Sequence, residues 1–140
     1  MLLREPFRAD AAWIQEQYAD IGFLPSDLAR ETIVIAEIEG QRAGMGRLVP
    51  AGEGVFELGG ILVLDAFRGR GVARAIVDEL IRRAGAAEVY CIPFADLGAL
   101  YAAAGFRRID AEGVPEKVRE KLAWCERNID RAVMLMKLTT

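Results

Sequence analysis

Arg68-Gly69-Arg70-Gly71-Val72-Ala73 gathers two arginines and two glycines in six consecutive residues, a combination suited to holding phosphate. Arginine brings a permanent charge and a fork of donors matched to phosphate oxygens. Glycine lacks the Cβ that would keep an anion away from backbone amides. The plainer alternative is a connecting turn with two solvated arginines. The segment is not a Walker loop, since no Gly-Lys-Ser/Thr follows, and the third glycine of a dinucleotide fingerprint is missing. The chain has no histidine. That excludes Ser-His and Cys-His nucleophile pairs and the usual zinc enzymes, and leaves acid–base work to carboxylates, tyrosine, cysteine, lysine or water.

The flanking residues show what must position this loop. Phe56 to Leu64 is apolar and β-prone, whereas the apolar residues at 73, 76, 77, 80, 81 and 84 follow a helical period. A strand therefore feeds the loop and a helix over 73–84 leaves it. Helix first turns carry unpaired N–H groups and partial positive charge, which favour an anion there.

The remaining pattern predicts a strand over Leu2–Pro6 and a helix over Ala9–Ile21, with Asp10 near its cap and Gly22 ending it. Phe23–Arg30 reads as a loop or short helix. Strands Thr32–Glu39 and Arg42–Val49 meet at a hairpin signal, Glu39-Gly40-Gln41, and the turn Pro50–Gly54 leads to a strand over Val55–Val63. Gly59-Gly60 inside that strand calls for a bulge or a close backbone approach. A short strand Glu88–Ile92 stops at Pro93, and a helix Ala95–Ala103 stops at Gly105. A helix Glu116–Arg127 follows Pro115, and Ala132–Leu138 reads as a last strand. The order implies a mixed α/β sheet in one domain spanning 1–140.

Composition narrows the class. With 140 residues, 53% of them hydrophobic, the chain can bury a substantial core. Net charge is −3 and the basic residues form no long run, which argues against a nucleic-acid surface. Cys91 and Cys125 read as buried thiols of a reducing compartment. No apolar stretch is long enough to span a bilayer, so the expectation is a cytoplasmic protein without a membrane partner.

Two segments together resemble the GNAT superfamily of acyl-CoA-dependent N-acetyltransferases. The first is Arg68-Gly69-Arg70-Gly71-Val72-Ala73, preceded by Ile61-Leu62-Val63-Leu64-Asp65; the second is Leu100-Tyr101-Ala102-Ala103-Ala104-Gly105-Phe106. The resemblance implies a mostly antiparallel, twisted sheet flanked by helices and splayed at the acyl-CoA site. It implies acetyl-CoA as cosubstrate, no metal, and transfer of acetyl to a primary amine of a small molecule. The amides of Gly69, Arg70, Gly71, Val72, Ala73 and Arg74, with Arg68, would hold the pyrophosphate. The backbone of Ile61, Leu62 and Val63 would pair with the pantetheine arm as an added strand.

For catalysis the resemblance implies Tyr101 as the acid for the leaving thiolate, against a plain packing role. Glu57, six residues before Val63, stands where some members carry a general base; the alternatives are a solvated strand carboxylate and a water relay. One departure is Phe94, seven residues before Tyr101, where the family often has an asparagine that contacts pantetheine. Phe94 then either forfeits that contact or lines an acceptor or acyl pocket. The C-terminal third, through Pro115, Trp124-Cys125 and Val133-Met134-Leu135-Met136, loosely resembles small N-acetylglutamate-synthase-like members. On that likeness the acceptor is an amino acid whose carboxylate Arg42 or Arg47 holds, unless both are solvated strand charges. A longer acyl group, a non-catalytic acyl-CoA sensor and a homodimer stay open.

Overall fold

The computed structural model describes residues 1–139. These form one seven-stranded sheet in the order β1-β2-β3-β4-β5-β7-β6. The strands are β1 (Leu2–Arg4), β2 (Thr32–Ile38), β3 (Gln41–Pro50), β4 (Val55–Val63), β5 (Glu88–Cys91), β6 (Phe106–Arg108) and β7 (Met136–Leu138). The helices are α1 (Ala11–Asp20), α2 (Val72–Ala84), α3 (Gly98–Ala103) and α4 (Glu116–Asn128). Every pairing is antiparallel except β4 with β5. The mixed, mostly antiparallel sheet flanked by helices is the architecture expected. Among the described residues no helix is long and apolar enough to cross a membrane.

Strand alternation sorts the core into layers. Val34 and Ala36 of β2 pack with Ile76, Val77 and Leu80 of α2, whereas Ile33 and Ile35 pack with Ile14 and Tyr18 of α1. So α1 and α2 lie on opposite faces. Val118 of α4 joins Val55, Tyr90 and Leu135 in a third cluster. Tyr101 of α3 and Phe106 pack on the α2 side, ring edge to face at 6.0 Å.

Several expected boundaries shift. The segment before α1 is a one-turn 3-10 helix, Arg8–Asp10, and Asp10 makes no side-chain cap for α1. Its carboxylate instead accepts from Phe7 N–H at 2.6 Å, Arg4 Nη1 at 2.7 Å and Arg42 Nε at 2.8 Å. The expected helix Ala95–Ala103 is a 3-10 turn, Ala95–Leu97, followed by α3. The expected strand Ala132–Leu138 contracts to β7, with Val133 contributing an isolated bridge to Phe94. Residues 23–30 form a loop. Strand β6 was not foreseen.

Two irregularities of β4 shape the space beside it. Met45 pairs with Leu62 but Arg47 pairs with Gly59, so β4 holds one extra residue there. Gly60 takes φ +60 within this bulge, a conformation that disfavours any side chain. On its other edge β4 pairs with β5 only from Val55 to Leu58. Beyond Leu58 the two strands part, leaving the 59–63 edge of β4 open.

Candidate active site

The bulge and the glycines beside it let charged groups gather where β4 leaves β5. Arg47 and Gly59 are register partners and Glu57 is two residues from Gly59, so Arg47 and Glu57 project from the same face. A Cβ at Gly59 would collide with the Glu57 carboxylate, so glycine there lets that side chain fold across the strand. Gly60 has a different job. Tyr18 of α1 donates its hydroxyl to the Gly60 carbonyl at 2.8 Å, and Arg47 Cζ lies 4.2 Å from the centre of the Tyr18 ring. The bulge is thus held from α1.

Glu57 is not a solvated strand carboxylate. It is 6% exposed, and Lys121 Nζ of α4 donates to its Oε1 at 3.1 Å. Nor is Arg47 a solvated strand charge. It is 3% exposed, its Nη1 donates to Ser26 Oγ at 2.7 Å, and Glu31 Oε1 lies 3.7 Å away. Arg47 Nε and Nη2 have no protein partner among the described residues. Glu31 Oε1 is the one fully buried polar side-chain atom of these residues without a hydrogen bond, and Arg47 itself lines the cavity beside it. Arg42 is engaged elsewhere, on the buried Asp10.

That cavity is lined by Arg47, Glu57, Gly59, Gly60, Phe94, Tyr101, Lys121 and Cys125, among others. Tyr101 arrives from α3 on the α2 side of the sheet, whereas Glu57 and Arg47 arrive from the α1 side. They meet because the sheet is parted between β4 and β5. Tyr101 is buried and lines the cavity, and its hydroxyl forms no hydrogen bond to the described residues. Burial, with lesser contributions from Cys91 and Glu57, pushes the Tyr101 phenol above its usual range. It stays protonated at any ordinary assay pH.

A groove adjoins this cavity. Its walls include Ile61, Leu62, Val63, Arg68, Gly69, Gly71, Val72, Ala73 and Arg74. Phe23, Ile61, Phe94 and Leu97 line both spaces, so cavity and groove share a wall. Gly69 and Gly71 take φ +78 and +76, and a Cβ at either would meet nothing within 4 Å. The hydrogen bonding of α2 begins with Ala75 N–H donating to the Gly71 carbonyl, which leaves the amides before it, beside the groove, without intrahelical partners. Arg68 pairs with Asp65 at 3.0 Å and Arg74 with Asp78 at 3.0 Å, both exposed. Arg70 sits in the same loop with its guanidinium 5.6 Å from the centre of the Phe67 ring.

Lys121, Trp124, Cys125 and Ile129 close the far side of the cavity, and sequence reasoning did not assign them there. The available signal was the helical spacing of Lys121, Trp124 and Cys125 on α4. Cys125 and Cys91 are free, buried thiols, and burial raises both above the ordinary thiol value. Phe94 tilts against Phe23 at 6.3 Å and has Arg131 Cζ 3.9 Å from its ring centre. It forms the partition between cavity and groove.

Solved structures share this architecture. The chain aligns over its full length with 99% of Rv2747 from Mycobacterium tuberculosis, solved in complex with CoA and a second ligand, at 21% identity and a TM-score of 0.77. Spermidine N-acetyltransferase from Vibrio cholerae matches at 14% identity and a TM-score of 0.70, over 99% of this chain and 94% of that one. N-acetylglutamate synthase from Neisseria gonorrhoeae, solved with coenzyme A and N-acetyl-glutamate, matches at 16% identity and a TM-score of 0.73. This chain spans 35% of that synthase, with 99% of its own length aligned. No curated protein sequence matches. The acetyltransferase (GNAT) family model matches residues 2–106, which takes in the bulged β4, the glycine loop and Tyr101, and the chain belongs to that family.

Proposed function

We propose that the protein transfers acetyl from acetyl-CoA to the primary amine of a small molecule, and that an amino acid is the acceptor its cavity fits. The observation that carries this reading is that two spaces adjoin: a groove under a glycine loop, and a cavity holding Glu57 and Tyr101.

The groove suits coenzyme A on three counts. Amides at the start of α2 lie beside it without intrahelical partners and are suited to a pyrophosphate. Gly69 and Gly71 leave that approach unobstructed. The open 59–63 edge of β4 offers backbone groups to an amide-bearing arm laid beside it as a strand. Acetyl-CoA supplies an acyl carbon activated as a thioester.

The residues of this chain do the remainder. Glu57 takes the proton of the acceptor ammonium, directly or through one water, which frees the nitrogen lone pair for the acyl carbon. As the new C–N bond forms and the C–S bond breaks, the Tyr101 hydroxyl gives its proton to the departing sulfur, and the second proton lost by the acylated nitrogen returns through water to the phenolate. Its raised pKa keeps it in the donating form throughout. Arg47 holds a carboxylate of the acceptor through the donors that no protein group uses, a charge-assisted contact in a buried place.

Thiol release from acetyl-CoA, measured against a panel of amino acids, simple amines and peptides, tests the reading. Turnover is expected with an amino acid, and Glu57→Gln should lower it strongly at neutral pH while regaining part at high pH, where free amine is abundant. Acetyl-CoA binding without thiol release for any amine would make the protein a sensor instead.

A further inference from the structure

We propose that Lys121 sets the charge class of the acceptor, rejecting amines that carry a second cation near the reacting nitrogen. The inference rests on the acetyl-transfer reading above and narrows it.

The charged side chains lining the cavity are Arg47, Glu57 and Lys121. Arg47 has a carboxylate of its own, Glu31, 3.7 Å from Nη1. Lys121 has only Glu57, at 3.1 Å. The two ends of that second pair differ in access: the Lys121 side chain is 24% exposed and that of Glu57 is 8% exposed. Lys121 is therefore the solvent-accessible end of the pair and Glu57 the buried one. Its anchor is firm, because α4 buries Val118 and Cys125 on either side of it along the helix.

An incoming amine is a cation before it reacts, and it needs the same Glu57 carboxylate that Lys121 occupies. When the acceptor ammonium reaches Glu57, two cations share one carboxylate. A neutral remainder on the acceptor leaves that balance tolerable. A remote carboxylate improves it, since Lys121 and Arg47, with its free donors, both line the cavity. A second ammonium adds positive charge within a few ångströms of Lys121 in a partly desolvated space, where like charges repel strongly. Lys121 thus acts by presence and by competition, and takes no proton itself.

Three acceptors of matched length separate the charge effect from size: n-butylamine, 1,4-diaminobutane and 4-aminobutyrate differ only at the far end. For the native protein, kcat/KM should fall in the order 4-aminobutyrate, butylamine, diaminobutane, with at least tenfold between the last two. Lys121→Met should bring diaminobutane to within threefold of butylamine, and Lys121→Arg should keep the native ordering. Equal use of butylamine and diaminobutane by the native protein would overturn the proposal. So would a uniform loss for all three acceptors in Lys121→Met, the result of a merely structural lysine. The same three amines are titrated against the CoA-bound protein to read affinity without turnover. Preserved ordering there, with no thiol release, would strike the acetyl-transfer reading and support Lys121; ordering that is absent there would strike Lys121.

Discussion

Gly60→Ala tests the bulge on which the whole site depends, and its cost separates into two parts. The first is backbone strain: φ is +60, where a side chain costs about 1–2 kcal/mol. The second is contact. A Cβ built there would lie 2.5 Å from the Tyr18 hydroxyl, 2.9 Å from Tyr18 Cζ and 3.0 Å from Arg47 Nε. Tyr18 cannot yield easily, being fully buried and stacked on Phe23 at 6.3 Å. Forcing an atom into such a packed place costs about 1–3 kcal/mol more. The total is about 2–5 kcal/mol, which for a domain of this size lowers Tm by roughly 6–20 °C. Gly22→Ala supplies the control, because Gly22 has φ +73 but nothing within 4 Å of a built Cβ. It should lose only the backbone part, about 1–2 kcal/mol. Chemical denaturation of the three proteins, with thermal melts alongside, measures the difference. Equal losses in the two variants would refute the claim that Tyr18 and Arg47 lock the bulge.

Gly71→Val strains a residue at φ +76 and sets a branched side chain beside the first amides of α2, so acetyl-CoA affinity measured by calorimetry should fall at least tenfold in folded protein. Tyr101→Phe should lower turnover by roughly 10²–10⁴ with acetyl-CoA affinity unchanged; full turnover would reduce the residue to packing. Asp10 is held at a pKa of about 2 against an ordinary 3.8, chiefly by its bond to Arg4, with Phe7 N–H and Arg42 assisting against the effect of burial. A depressed folded-state pKa stabilises above the unfolded value and is lost as pH falls through the folded one, so about 2 kcal/mol should be present above pH 4 and gone near pH 2. Denaturation of native protein and Asp10→Asn across that range should show curves that converge at the acid end.

Legibility in the sequence followed the range of the interactions involved. The strand, glycine loop and helix over 55–84 were readable because apolar period and glycine placement act within a few residues. Strand β6 was not, since Phe106-Arg107-Arg108 is three residues long with two exposed arginines and gains its identity only from pairing with β7. The fate of Arg42 and Arg47 shows the same limit more sharply. Simple alternation puts residues an odd number apart on opposite faces of a strand. An extra residue in β3, where the pairing with β2 shifts between Ala36 and Glu37, upsets that count. Arg42 consequently reaches Asp10 at the head of α1, while Arg47 reaches the cavity beside Tyr18 from farther along β3. Composition could not tell these two arginines apart.

The division of labour along the chain follows from where the partners of each candidate catalytic group come from. Most of the groove wall lies within 61–74, a stretch the family model covers, although Arg131, beyond residue 106, also lines it. Lys121 and Cys125, which close the cavity opposite the groove, lie beyond the matched residues 2–106. Glu57 belongs to both sides: its strand opens the groove, and its carboxylate is held by a lysine 64 residues later in the chain. A change in α4 can therefore alter which amine reaches Glu57 without disturbing the groove. A change at Gly59 or Gly60 cannot on the proposed reading, because these residues pack against Glu57, Tyr18 and Arg47 and also lie on the β4 edge that leaves β5. Acceptor preference is thus expected to vary with α4 substitutions at constant acetyl-CoA affinity, whereas substitutions at Gly59 or Gly60 should move both together.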